Sequence, residues 1–285
     1  MPEGDTIFRT ARALSRALVG HAITGFRSNY PLITRFHDDT PFTGQHIERV
    51  ESRGKWVLIY FSGGGILVTH MLMSGSWHIY RPGERWQQPG RNMRIVLENS
   101  MCQAVGFRVP IAQMHTASSL ARDRRIPDPT SDVLNPGFDA ERVKERLLAC
   151  AHEEIGDVLL HQEVLAGVGN VFKSEVCFVT GVNPFCKVKD LRADEIDNLI
   201  DGSQRLIASN VLEDSADMIV TYRGQHRRTA HTSDPTASLW VYGRTNEPCR
   251  RCGDRIRRRI QGPDARVTFW CAQCQPMPDG TDIDG

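Results

Sequence analysis

No stretch of this 285-residue chain approaches the ~20 consecutive apolar residues needed to span a bilayer. The opening Met1-Pro2-Glu3-Gly4-Asp5 is acidic where a secretory leader would be basic and then apolar. These absences predict a cytoplasmic protein. Internal repeats and low-complexity tracts are missing as well. With 40% hydrophobic and 24% charged residues, the composition excludes collagen-like, coiled-coil and wholly disordered chains. Aromatic residues are few, 7%, and they form no cluster resembling the exposed stacking sheet of an RNA-binding ribbon.

A local absence says more. Lysine does not occur between Arg223 and Cys274, where eleven arginines face four acids (Asp234, Glu247, Asp254, Asp264) for a net charge of +7. The last eleven residues carry Asp279, Asp282 and Asp284, and the whole chain sums to only +1, so the overall balance conceals a strongly basic segment. Arginine alone suits phosphate, because the guanidinium fork matches phosphate oxygens in a way that an ammonium does not. A charge run is ordinarily a solvated surface, but here the acids are too few to neutralise it.

The eight cysteines fall into two groups. Cys102, Cys150, Cys177 and Cys186 are scattered and are expected as small buried hydrophobes in a reduced cytosol. Cys249, Cys252, Cys271 and Cys274 read C-x2-C, eighteen residues, C-x2-C. Two such knuckles suit a tetrahedral thiolate site, and the spacer is long enough for a β-hairpin with strands at 255–260 and 266–270. Four thiolates leave no open coordination position, so the expectation is one structural zinc per chain. Two disulfides would conflict with the compartment.

Along the chain, Ile7, Ala11, Leu14 and Leu18 share one helical face, and Gly20 is placed to end that helix. Short apolar runs at 56–61, 66–70, 75–80, 93–98 and 102–109 then read as strands. Helical patterns return at 140–152, 155–161, 169–180 and 193–211. The expected fold class is α+β and multidomain. A β-sandwich with a leading helix (1–110) precedes a connector (111–139), a helical domain (140–238), the cysteine hairpin (239–276) and a disordered acidic tail (277–285). The segment at 223–237 is expected to be exposed. Gly167 and Gly169 precede a new helix, where glycine allows positive φ and the helix N-terminus suits a phosphate.

Taken together, Pro2-Glu3-Gly4, Arg53-Gly54-Lys55, His70 to Gly75, Gln162 to Asn170 and Tyr242-Gly243-Arg244 through Gln275 resemble the formamidopyrimidine-DNA glycosylase/endonuclease VIII family of bifunctional repair enzymes. The resemblance implies a sandwich domain, a helix-two-turns-helix element ending at Asn170, and a zinc finger built on Arg266 to Gln275. It implies that Pro2, freed by removal of Met1, attacks C1′ of a damaged nucleotide to form an iminium. An α-amino group titrates near ~7.7–8.0, so part of it is neutral at pH 7. Glu3 matches the proton-handling carboxylate. Lys55, Asn170 and Arg266 match residues holding phosphates around the lesion, and Met73, with Met71 and Leu72 beside it as alternatives, matches an apolar wedge filling the space left by the flipped base. Each would pass for an ordinary residue in isolation: a surface lysine, a hairpin arginine, a core methionine.

The implied partner is double-stranded DNA carrying oxidised bases or abasic sites, bound by a monomer in the bacterial cytoplasm at the nucleoid. The purine branch carries an Arg-Arg-Phe-Gly stretch that is absent from the corresponding Asn99–Pro110, although the Met73-Ser74-Gly75 loop is closer to that branch. The expectation is therefore a glycosylase with β,δ-elimination lyase activity on oxidised pyrimidines, with oxidised purines as the alternative. A non-catalytic damaged-DNA binder is the competing class, but it would have no use for an N-terminal amine beside a carboxylate.

Overall fold

Helix α1 (Gly4–Leu18) turns Ile7, Ala11, Leu14 and Leu18 inward, and all four are buried. The computed structural model describes residues 2–212, 219–222 and 236–283. It divides into two compact units, residues 1–127 and 128–285.

In the first unit α1 is followed by β1 (Gly25–Ser28), α2 (Pro31–Asp39), β2 (Ile47–Arg53), β3 (Trp56–Phe61), β4 (Ile66–His70), β5 (Ser76–Tyr80), β6 (Met93–Glu98), β7 (Gln103–Phe107), β8 (Ile111–His115) and α3 (Ala117–Leu120). Two antiparallel four-stranded sheets result, ordered β1-β6-β7-β5 and β2-β3-β4-β8. Val57, Ile59, Phe61 and Leu67 of one sheet meet Ile95, Leu97 and Ala104 of the other and the apolar face of α1. The opposite face of β3 and β4 is also covered, with Trp56, Leu58, Tyr60, Ile66 and Val68 packing on Leu120 and Ile126. Burial on both faces explains why Trp56–Phe61 is apolar throughout and does not alternate.

Several elements escape the hydrophobic pattern. Strand β2 is charged because it edges its sheet, and charge there discourages pairing with other chains. Strand β1 and helix α2 each bury little. The stretch 111–139, expected as a connector, begins with edge strand β8, which pairs with β4 from Ile66↔His115 to His70↔Ile111. Its half-exposed mixture of residues carries no alternation.

The second unit contains α4 (Ala140–Ala149), α5 (Ile155–Val158), α6 (Asn170–Thr180), α7 (Ala193–Leu212), and strands β9 (Ile256–Gln261) and β10 (Arg266–Cys271). Val143, Leu147, Ile155, Val158, Phe172, Val176, Leu199 and Ile207 build one core among the helices. A second cluster, with Phe178, Val241, Ile256 and Phe269, seats the hairpin. The observed class is α+β, as expected. Residues 223–235 of the expected exposed segment, and 284 and 285 of the tail, lie outside the described residues. Within the described tail, Asp282 pairs with Arg257 of β9.

Candidate active site and four-cysteine centre

In the first unit Pro2 is half-buried and immediately precedes Glu3, the extended N-cap of α1. Glu3 is fully buried, and its carbonyl accepts the Ile7 N–H at 3.1 Å. Asp5, the second residue of the helix, is also buried. Burial pushes its carboxyl up, against the opposing pull of Arg9 at 3.2 Å. Two acids therefore sit out of water in the first turn of the helix that carries Pro2.

Lys55 and Met73 come from turns at the same end of the two central strands, β3 and β4, of their sheet. Pairing of Trp56 with His70 places the β2–β3 turn, with Lys55, beside the loop that leaves β4. His70 links the two. Its Nδ1 accepts the Leu72 N–H at 3.1 Å, and burial, with Lys55 nearby, lowers its pKa to about 4, so the ring is neutral at pH 7. Of the three apolar residues in that loop, Met71 belongs to the core at 3% exposure, whereas Leu72 and Met73 project at 42% and 72%. Hence Leu72 and Met73, and not Met71, are the exposed apolar side chains of this loop. The loop is tight: a Cβ on Gly75 would lie 2.7 Å from the Met71 carbonyl oxygen, so only glycine closes it without displacement.

In the second unit Gln162 shapes the turn before α6. Its Nε2 donates to the carbonyls of Leu160 (2.9 Å) and Val168 (3.0 Å), and its Oε1 accepts the Gly167 N–H (3.1 Å). Gly167 has φ +100°, a conformation costly to any other residue. The turn delivers Asn170 to the first position of α6, where its Nδ2 donates to the Val267 carbonyl at 2.8 Å. Its Oδ1 is buried with no hydrogen-bond partner among the described residues. Asn170 is thus tied to the strand that begins with exposed Arg266.

Behind that pair runs a buried polar chain that no sequence pattern suggested. Lys173 Nζ donates to Thr268 Oγ1 (2.7 Å), Thr268 Oγ1 donates to Gln261 Oε1 (2.6 Å), and Gln261 Nε2 donates to Glu154 (2.8 Å) and to the Pro184 carbonyl (2.9 Å). Glu175, also fully buried, accepts the backbone N–H groups of Trp240, Val241 and Tyr242 at 2.8–2.9 Å and the Thr221 hydroxyl. Such groups are stable inside a protein only when paired, so they fix the hairpin on α6 rigidly.

The thiols of Cys249, Cys252, Cys271 and Cys274 all lie within 4.8 Å of one another and could hold a metal ion. The Cys249–Cys274 and Cys252–Cys271 sulfur separations are 3.8 and 3.4 Å, too long for a disulfide bond at ~2.05 Å. They lie at or just below the ~3.8 Å edge of a tetrahedron with metal–sulfur bonds of ~2.3 Å. Burial raises the Cys271 thiol, and it pushes Cys274 up to about 11. Gln275 completes the knuckle, accepting the Cys271 N–H at 3.0 Å and donating to the Val182 carbonyl at 2.8 Å.

Residues 1–108 match the formamidopyrimidine-DNA glycosylase N-terminal domain and residues 127–220 the H2TH domain of the same glycosylase. The chain is 37% identical over 282 residues, 98% of its length and 95% of the relative's, to a probable endonuclease 8 2 of Streptomyces coelicolor. It is 35% identical to the DNA-(apurinic or apyrimidinic site) lyase Nei2 of Mycolicibacterium smegmatis, covering 96% of this chain and 99% of that one. Among solved structures it superposes on the formamidopyrimidine-DNA glycosylase of Lactococcus lactis bound to abasic-site DNA, with a TM-score of 0.76 and 21% identity over 96% of this chain and all of that one. That likeness establishes the fold.

Proposed function

The chain belongs to the formamidopyrimidine-DNA glycosylase/endonuclease 8 family, and from that premise we propose that it excises oxidised pyrimidines from double-stranded DNA and nicks the strand by β,δ-elimination. Membership makes it a base-excision repair glycosylase and lyase; the lesion class and the roles of individual residues are our reading. The supporting observation is the placement of Pro2 directly before a buried carboxylate at the head of a packed helix.

In this reading Met1 is removed and the Pro2 amine attacks C1′, the base departs, and an iminium joins protein to sugar. Glu3 moves the protons that base loss and ring opening require; its burial makes the carboxylate a stronger hydrogen-bonding partner than it would be in water. Lys55, Arg266 and Asn170 hold backbone phosphates, which positions the strand without reading its sequence. Met73 fills the gap left by the extruded base, and its exposure beside a glycine-closed turn suits that role. Zinc is the metal we assign to the four cysteines: the donor set is all thiolate and the sulfur spacing fits its tetrahedron. The protein would act as a monomer at the bacterial nucleoid.

Borohydride trapping on an abasic-site oligonucleotide tests the central step. Covalent capture is expected from the processed chain and not from one with an uncleaved N-terminal extension. Equal capture by both would remove Pro2 from the mechanism. A panel of single-lesion duplexes tests the pyrimidine preference, and faster release of an oxidised purine would reverse it.

A further inference from the structure

A second group of metal-binding side chains lies away from the four-cysteine centre, in the segment joining α4 to the helix-two-turns-helix turn. Cys150 caps the end of α4, Glu153 follows in the next turn, and His161 comes after α5. One ligand atom from each lies within 4.8 Å of the others, and His161 Nε2 is 3.6 Å from Glu153 Oε2. Cys150 and His161 are half-buried, and Glu153 reaches in from the exposed side.

The backbone holds these three positions by bonds of its own. The Glu153 N–H donates to the Cys150 carbonyl at 3.0 Å, and the Glu153 carbonyl accepts the Val188 N–H at 3.0 Å. The His161 N–H donates to the Val158 carbonyl at 3.1 Å, while the His161 carbonyl accepts the Val164 and Leu165 N–H groups. The ligand positions are thus organised by the fold and need only side-chain rotation to close on an ion.

The charge around them suits a cation. Glu153 and Glu163 both lie within electrostatic range of the Cys150 sulfur. Glu154 and the partly buried Asp157 lie within electrostatic range of Glu153 and His161, with Lys173 opposing them at Asp157, whereas Arg146 directs its Nη1 to the Glu163 carbonyl at 3.1 Å. A thiolate and a carboxylate would together neutralise a divalent ion.

We propose that Cys150, Glu153 and His161 form a second, exchangeable site for a divalent transition metal of the zinc class, with one coordination position open to water. One sulfur, one imidazole nitrogen and one carboxylate oxygen select such an ion over magnesium or calcium, which take oxygen donors. Three protein ligands bind it more weakly and more openly than four thiolates do. Binding releases the thiol proton, which passes to solvent. The site also has a structural consequence. His161 precedes Gln162, whose amide holds the Gly167 turn, so an ion here ties the end of α4 to the root of the loop that delivers Asn170.

The test is a zinc titration of the full-length protein already carrying one equivalent of zinc, with bound metal counted after gel filtration. Wild type should reach two zinc ions per chain. Cys150→Ala and His161→Gln should each stop at one, with that first ion retained, and Cys102→Ala should still reach two. The second ion should raise the melting temperature of wild type and not of the two variants. Millimolar magnesium should not displace it. Cobalt added to the one-zinc protein should produce a thiolate-to-cobalt absorption that Cys150→Ala abolishes. If Cys150→Ala disturbs folding, His161→Gln carries the test alone. A wild-type protein that saturates at one ion, or a second ion that persists in folded His161→Gln, overturns the proposal.

Discussion

The candidate residues of the first unit stand at the ends of elements, while those of the second are lashed to one another. Pro2 and Glu3 sit at the head of α1, and Lys55 and Met73 on turns at one end of β3 and β4. Asn170 and the Arg266 strand are joined by a hydrogen bond and backed by Lys173, Thr268, Gln261 and Glu175. Gripping a charged backbone needs a rigid surface, and rigidity inside a protein comes from buried groups whose every partner is specified.

The contrast can be broken most severely at Glu3. Glu3→Gln should slow release of intact damaged bases by about 10²–10⁴-fold, the usual contribution of a proton-transferring group, while cleavage at a ready-made abasic site persists. Base-release and nicking assays on paired substrates read the split, and equal loss in both would make Glu3 merely structural. Next comes Cys271→Ser. It should lose the metal, unfold the hairpin and weaken DNA binding by about tenfold or more, because several arginine contacts go together. Metal analysis beside a binding titration checks this, with Cys102→Ser as the variant that keeps both.

Glu175→Ala sharpens the comparison from the inside. It strands three backbone N–H groups and should cost about 3 kcal/mol, confined to the second unit. Calorimetry or hydrogen exchange should show protection lost around 240–242 while the strands of the sandwich stay as they were. The smallest effect separates two kinds of grip. Arg266→Ala should lower affinity for an abasic-analogue duplex and flatten the plot of log affinity against log salt by about one unit. Asn170→Ala should lower affinity with the slope nearly unchanged, since a neutral amide releases no counterion. Identical slopes in all three proteins would make Arg266 an ordinary surface arginine.

Where one face of a helix or strand is buried, the hydrophobic pattern gave its place in advance: Ile7, Ala11, Leu14 and Leu18 on α1, and the runs that became β3, β4 and β6. Of the four edge strands of the sandwich only β5, with its Trp77-His78-Ile79-Tyr80 run, was legible; β1, β2 and β8 hydrogen-bond to one neighbour and bury little, so they leave little trace in side-chain polarity. The site divides along the same line. The four cysteines stand out by residue type and spacing, whereas Pro2, Glu3, Lys55, Asn170 and Arg266 are ordinary in isolation and were singled out only by the family resemblance. That Met71 is core and Met73 exposed, and that His70 sits beside Lys55, follows from the pairing of β3 with β4 and the closure at Gly75.

By itself, then, the sequence determined the long helices, the apolar strands and the spacing of the thiols, and it nominated the candidate reactive groups. Only the tertiary structure decided that Lys173 meets Thr268, that Glu175 collects three distant N–H groups, and that Cys150, Glu153 and His161 converge. The physical reason is that a buried polar group is tolerable only through its partners. Those partners are chosen by how the chain folds back on itself, which no local pattern records.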